Sequence, residues 1–161
     1  MIIVSDTSPI ANLILIDRLD ILERLYQKVI IPPKVKSEIQ ALQSFGVNLS
    51  EFENAEWIEI KIPKNSLEVN NLLSQIDRGE AEAIVLAEEI SVDWLLIDER
   101  LGREVAQSKG IKTVGLLGSL VKAKELGIVS QVKPIIEDLK TKAGFWVDEK
   151  LIERVLRMAS E

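Results

Sequence analysis

Apolar and polar positions alternate between two rhythms along the chain: short β-branched runs, and longer stretches with helical periodicity. Residues 2–4 form a compact apolar run closed by Ser5-Asp6 and read as a buried strand. Ser8 suits a helix N-cap and Pro9 the first helical position, predicting a helix through Ala11, Leu13, Ile14 and Leu15. A second helix is expected from Asp17 or Arg18, burying Leu19, Leu22 and Leu25. Residues 29–31 give a second strand, stopped by Pro32-Pro33. Pro33 can open a helix in which Val35, Ile39 and Leu42 share a face. Residues 46–54 are polar and read as a loop. In residues 57–62, Ile58, Ile60 and Ile62 alternate with Glu59 and Lys61, the pattern of an edge strand with one wet face.

The second half repeats the theme. Helices are expected over 66–74 and 78–90, a strand over 94–97, a helix over 99–108 ended by Gly110, and a last strand over 112–114. Three further helices follow, from about 117 to 125, 131 to 142 and 148 to 159, punctuated by Gly127 and Gly144. Strands alternating with helices define an α/β protein. No repeat, low-complexity tract or linker interrupts the chain, so residues 1–161 are expected to form one domain with a helical extension from about 130.

Composition narrows the chemistry. Hydrophobic residues make up 47% of the 161 residues and aromatics only 4%, so the core is mainly aliphatic. Cys and His are both absent, which removes thiolate chemistry, zinc–sulfur sites, His-ligated zinc and every His-dependent triad. Acid–base or metal chemistry must come from carboxylates, Lys, Tyr or the backbone. The start MIIVSD lacks a basic region and no stretch approaches the ~20 apolar residues of a membrane span, so a cytoplasmic protein with no membrane association is expected. A net charge of −6 argues against non-specific coating of nucleic acid. It leaves room for a site where bound metal and a local basic patch offset the field. Lys34, Lys36, Arg100 and Arg103 are available for phosphate, although such charges are usually only solvated.

Three acids stand out. Asp6 and Asp98 follow strands, and ligands of open α/β sheets bind beyond the carboxyl edge of the strands. Either could simply cap the next helix; for Asp6 the Ser8-Pro9 pair makes capping less necessary. Glu80 has the stronger geometric case. At about 100° per residue it shares a helix face with Ala83, Ile84, Ala87 and Ile90, while Glu82 and Glu89 point away. A carboxylate within an apolar stripe must be paired or bound to metal, since burying it alone costs several kcal/mol. Glu38, at the edge of the Val35–Ile39–Leu42 face, reads equally as a solvated charge or a ligand. Glu99 more simply starts a helix, where its charge suits the dipole; Glu82, Glu88 and Glu89 read as surface. A site built only of carboxylates suits hard divalent ions such as Mg²⁺ or Mn²⁺, alone or as a pair about 4 Å apart.

Val4-Ser5-Asp6-Thr7-Ser8-Pro9, Asp77-Arg78-Gly79-Glu80-Ala81-Glu82-Ala83-Ile84 and Leu96-Ile97-Asp98-Glu99 together resemble PIN-domain proteins, in particular the DUF3368 branch related to VapC-type toxins. Pro32-Pro33, Gly115-Leu116-Leu117-Gly118 and residues 123–127 are similar to that branch as well. Glu80 and Asp98 stand eighteen positions apart, as the helix acid and strand-end acid do in VapC-type domains. The resemblance implies a three-layer α/β/α sandwich around a mainly parallel sheet. It implies hydrolysis of RNA with Mg²⁺ or Mn²⁺, and Asp6, Glu38, Glu80 and Asp98 as metal ligands supported by Thr7 and Ser8. It also implies a toxin's life with an antitoxin partner, and a homodimer. One departure is visible: Lys112-Thr113-Val114-Gly115 lacks the further acid many PIN domains carry after the last core strand, leaving Glu99 as a substitute or the site with one metal.

Other readings fit less well. A haloacid-dehalogenase-type phosphatase wants a second Asp where Ser8 stands, and a response-regulator receiver wants an acidic neighbour that Asp6 lacks. A PIN-like binding module without turnover is the remaining alternative. The tail, with Phe145-Trp146 between its helices, is expected to pack over the sheet rather than to serve as a dimer or antitoxin surface.

Overall fold

Five short apolar runs become the strands of one sheet: β1 (Ile2–Ser5), β2 (Lys28–Ile31), β3 (Ile58–Ile60), β4 (Trp94–Leu96) and β5 (Thr113–Val114). In the computed structural model, which describes residues 1–161, every pairing is parallel and the strand order is β3-β2-β1-β4-β5. Parallel strands need crossover connections, and the helices that supply them cover both faces. Alternate strand residues therefore enter different cores. Ile3, Val29, Ile31 and Leu96 join a larger cluster, while Val4, Ile30, Leu95 and Ile97 join a smaller one on the other face. Burial on both faces explains why these strands read as unbroken apolar runs. The result is the three-layer α/β/α sandwich that the resemblance implied.

The larger core is packed by α1 (Thr7–Leu15), α2 (Asp20–Leu25), α3 (Pro33–Gln40), α4 (Ser50–Glu53), α8 (Leu116–Glu125), α9 (Lys133–Lys142) and α10 (Glu149–Met158). The tail's Ile135, Ile136, Leu139, Ile152 and Val155 all belong to it. The smaller core holds α5 (Ser66–Leu72), α6 (Arg78–Ile90) and α7 (Arg100–Ser108). The chain winds outward from β1 to β3, then returns to place β4 on the other side of β1. Strand order reverses between β1 and β4, and a crevice at their carboxyl ends is where such sheets bind ligands. Asp6 and Asp98 stand at those ends.

Three expectations need correction. The first helix begins at Thr7, two residues before Pro9, so Ser8 is already inside it and Asp6 holds the N-cap position. The stretch 46–54 contains α4, because Leu49 and Phe52, three apart, both bury against the core. The third strand is indeed an edge strand, but its isoleucines do not line one buried face. It ends at Ile60, so Ile62 has no sheet beneath it and is 75% exposed, while Glu59 pairs with Lys28 at 2.7 Å.

Candidate metal centre

Asp6 is placed by the sheet itself. Its backbone N–H donates to the carbonyl of Leu96 at 2.9 Å, tying the end of β1 to the end of β4. The residue is only 5% exposed, and its side chain makes no capping hydrogen bond although it sits at the N-cap of α1. Burial pushes the carboxyl up to about 7; the Thr7 N–H partly opposes this, and the charges of Asp77, Glu38 and Asp98 add to it. Those three charges also locate the neighbours of Asp6.

Glu80 lies in the first turn of α6 and is 7% exposed. Ala83, Ile84 and Ala87 on the same helix are buried with it, as the periodicity required. The whole of α6 is more deeply set than one stripe predicts, since Ala81, Val85 and Leu86 are buried too. Burial raises the Glu80 carboxyl to about 8, with further upward push from Asp77, Asp6 and Glu99. Glu82 is not a free surface acid: its carboxylate accepts the Lys34 N–H at 3.1 Å at the start of α3. Glu89 likewise receives the N–H groups of Lys64 and Asn65, while Glu88 is exposed.

Asp98 bridges two sides of the site. Its Oδ1 accepts the Leu116 N–H at 2.8 Å at the start of α8, whereas Oδ2 is buried with no hydrogen-bond partner. Burial raises its carboxyl; the Leu116 N–H and the Arg103 guanidinium pull the other way, and Glu99 adds to the rise. Glu38 is half-buried on α3 and accepts a hydrogen bond from Thr7 Oγ1 at 3.2 Å. Burial and then Asp77 raise it, while Thr7 and Lys34 oppose. Ser8 is turned to its own helix, accepting from Asn12 Nδ2 at 3.2 Å. Glu99 is exposed at the N-cap of α7 and makes no side-chain cap bond.

Sequence reasoning passed over several residues that shape this site. Asp77 caps α6, its Oδ1 accepting the Glu80 N–H at 2.8 Å, and its charge reaches Asp6, Glu38 and Glu80. Three glycines each face one acid. A side chain at Gly79 would collide with Glu38 Oε1; a Cβ at Gly102 would lie 3.1 Å from Glu80 Oε2; one at Gly115 would lie 2.8 Å from Asp98 Oδ1. The available signal was a glycine inside each of two helices, where it is unfavourable by about 1 kcal/mol relative to Ala.

Buried acids on the carboxyl edge of a parallel α/β/α sandwich, arriving from β1, α6 and β4, define a nuclease-type fold of the PIN class. The chain belongs to the DUF3368 family, described as a PIN domain, whose family model matches residues 2–161. No curated protein and no solved structure matches the chain. PIN domains are generally nucleases and typically use divalent metal ions, and the donor set here suits one. It is all oxygen, and Asp98 Oδ2 is a buried acceptor awaiting a partner. As the side chains stand, no three of them are gathered closely enough to hold an ion. No helix is long and apolar enough to cross a membrane.

Proposed function

We propose that the protein is a Mg²⁺- or Mn²⁺-dependent endoribonuclease that hydrolyses RNA phosphodiester bonds. Asp6, Glu80 and Asp98 are its catalytic carboxylates, and Glu38 is a further metal ligand. The observation that carries this reading is the buried, partnerless Oδ2 of Asp98, in a site where burial and neighbouring charges raise Asp6 to about 7 and Glu80 to about 8. Such groups are stabilised as anions by a cation between them.

The chain's own residues divide the work. The Leu116 N–H fixes one oxygen of Asp98 and leaves the other for the ion. Asp77 locks the first turn of α6 and so sets the direction of Glu80. Thr7 orients Glu38, and Ser8 and Glu99 line the groove beside Asp98. The chemistry a bound Mg²⁺ or Mn²⁺ supplies is Lewis acidity toward phosphate and water. A toxin role with an antitoxin partner, as a cytoplasmic homodimer, is the biological form of the same reading and rests on the resemblance to VapC-type toxins.

Purified protein with Mn²⁺ should cleave labelled single-stranded RNA, and EDTA should stop it. Asp6→Asn, Glu80→Gln and Asp98→Asn should each lower the rate at least about 100-fold while the fold melts cooperatively as before. Intact RNA after incubation with the wild-type protein and either metal sinks the reading. The open arrangement of the acids favours one alternative, a PIN-like binding module of weak catalytic power. In that case the same variants lose a nucleic-acid or protein partner and no turnover.

A further inference from the structure

Beyond Asp98 the carboxyl edge continues into a groove of about 610 Å³ between the start of α7, α10 and the segment 144–147 that precedes α10. One wall is a strip of α10 at helical spacing: Leu151, Arg154, Val155 and Met158. Leu151 is 37% exposed and Met158 61%, so the outer side of this strip is not spent on the core, although Val155 is. At the far end, between α9 and α10, stands Trp146, 86% exposed. The other two tryptophans are half-buried, and Trp94 has Lys112 over its ring. Trp146 has neither cover nor cation.

The groove gathers arginines beside the acids Asp98 and Glu99. In a chain of net −6, Arg100, Arg103 and Arg154 all line it. Arg100 pairs with Glu104 and the Arg103 guanidinium acts on Asp98, but Arg154 holds no carboxylate, unlike Arg18 and Arg78. A guanidinium without a carboxylate, as at Arg154, is suited to phosphate, and a bare indole to a base face.

We propose that this groove is a stacking subsite for single-stranded RNA, in which Trp146 is the base platform and Arg154 and Arg103 hold the phosphates that lead to Asp98. The inference rests on the ribonuclease reading and extends it to the tail helices. An unpaired strand is required, because bases in a duplex already stack on each other and cannot lie on Trp146. A protein segment laid on Trp146, Leu151 and Met158 is the competing occupant. It would cover Arg154 without answering its charge unless it were acidic.

The test uses the full chain in EDTA, so that binding is read without turnover. A fluorescein-labelled oligouridylate is titrated by anisotropy, with quenching of the exposed indole followed in parallel. Trp146→Ala should weaken binding roughly tenfold and remove most of the quenching, while Trp146→Phe keeps most of the affinity. Arg154→Ala should weaken binding and lower the salt slope by about 0.7. Affinity for a duplex of the same length should not change with Trp146. In Mn²⁺, Trp146→Ala should raise KM and leave kcat near wild type. Wild-type cleavage with unchanged oligouridylate affinity and KM in Trp146→Ala overturns this inference and leaves the ribonuclease standing. Wild-type protein that neither binds nor cleaves RNA overturns both. A Trp146→Ala variant whose oligomeric mass changes while its RNA affinity does not assigns the groove to a protein contact, and overturns the inference too.

Discussion

Gly102 sits inside α7, where alanine would be favoured by about 1 kcal/mol if the helix were free. It is not free. A Cβ there would lie 2.7 Å from Ile97 Cδ1, itself fully buried, and 3.1 Å from Glu80 Oε2. The overpacking cost of roughly 1–3 kcal/mol outweighs the helix gain, so Gly102→Ala should lose about 1 kcal/mol of stability in urea unfolding. It should also weaken Mn²⁺ binding, because the displaced atom is an oxygen of Glu80. A Gly102→Ala protein of raised stability and unchanged Mn²⁺ affinity would show that the helix does not press on the site. At this scale Glu80 was legible, since its place on the face of Ala83, Ile84 and Ala87 follows from helical geometry alone. Asp6 was singled out for a partly mistaken reason. It does occupy the N-cap position; what frees it is that its side chain makes no cap bond. The glycines were not legible as partners of acids, because spacing along one helix says nothing about which neighbour lies against it.

Elements are held to one another here by acids that reach across to backbone N–H groups. Glu82 receives Lys34 at the start of α3, and Glu89 receives Lys64 and Asn65 before α5. Glu161 accepts from the N–H groups of Val132 at 2.7 Å and Lys133 at 3.1 Å, and from Lys124 Nζ at 3.0 Å. It thereby caps α9 from the far end of α10 and anchors the wall that carries Arg154. Glu161→Ala should lower the melting temperature by about 2–4 °C, the effect of losing one cap in a domain of this size, with Glu161→Gln intermediate. A melt unchanged by Glu161→Ala would mean that water replaces the cap. Such bridges also mark the limit of a sequence reading. The bounds of α6 were legible, since a helix over 78–90 follows from an apolar period that runs to Ile90, although its Asp77 cap was passed over. That Glu82 and Glu89 serve other elements was not, because a solvent-side position on one helix becomes a buried or bonded one only when its neighbour is known. The four-residue α4 escaped for a simpler reason: one turn is too short to show a period.

The stability of the whole molecule records the strain of its acidic edge. Asp6 titrates near 3.8 when unfolded but at about 7 in the metal-free fold, and Glu80 is raised to about 8. The folded state therefore binds more protons than the unfolded chain across that interval, and stability falls as pH rises through it. For Asp6 the contribution is complete below about pH 4 and gone above about pH 7, a loss on the order of a few kcal/mol at 1.36 per unit. Glu59 and Glu68, held below the usual carboxylate range by the hydrogen bonds of Lys28 and Lys109, act with the opposite sign and lose their contribution in acid. Metal-free protein should then be most stable in acid, near pH 4, and weaken steadily toward pH 8. Urea unfolding in EDTA at pH 5, 6.5 and 8 measures the decline, and Asp6→Asn should lessen it by removing one of the titrating groups while Glu80 remains. Saturating Mn²⁺ should restore stability at pH 8 far more than at pH 5, since the ion binds only the anions and competes with protons for them. Stability in EDTA that instead climbs from pH 5 to pH 8 would place these carboxylates in contact with water, and with that the physical case for a cation between them fails.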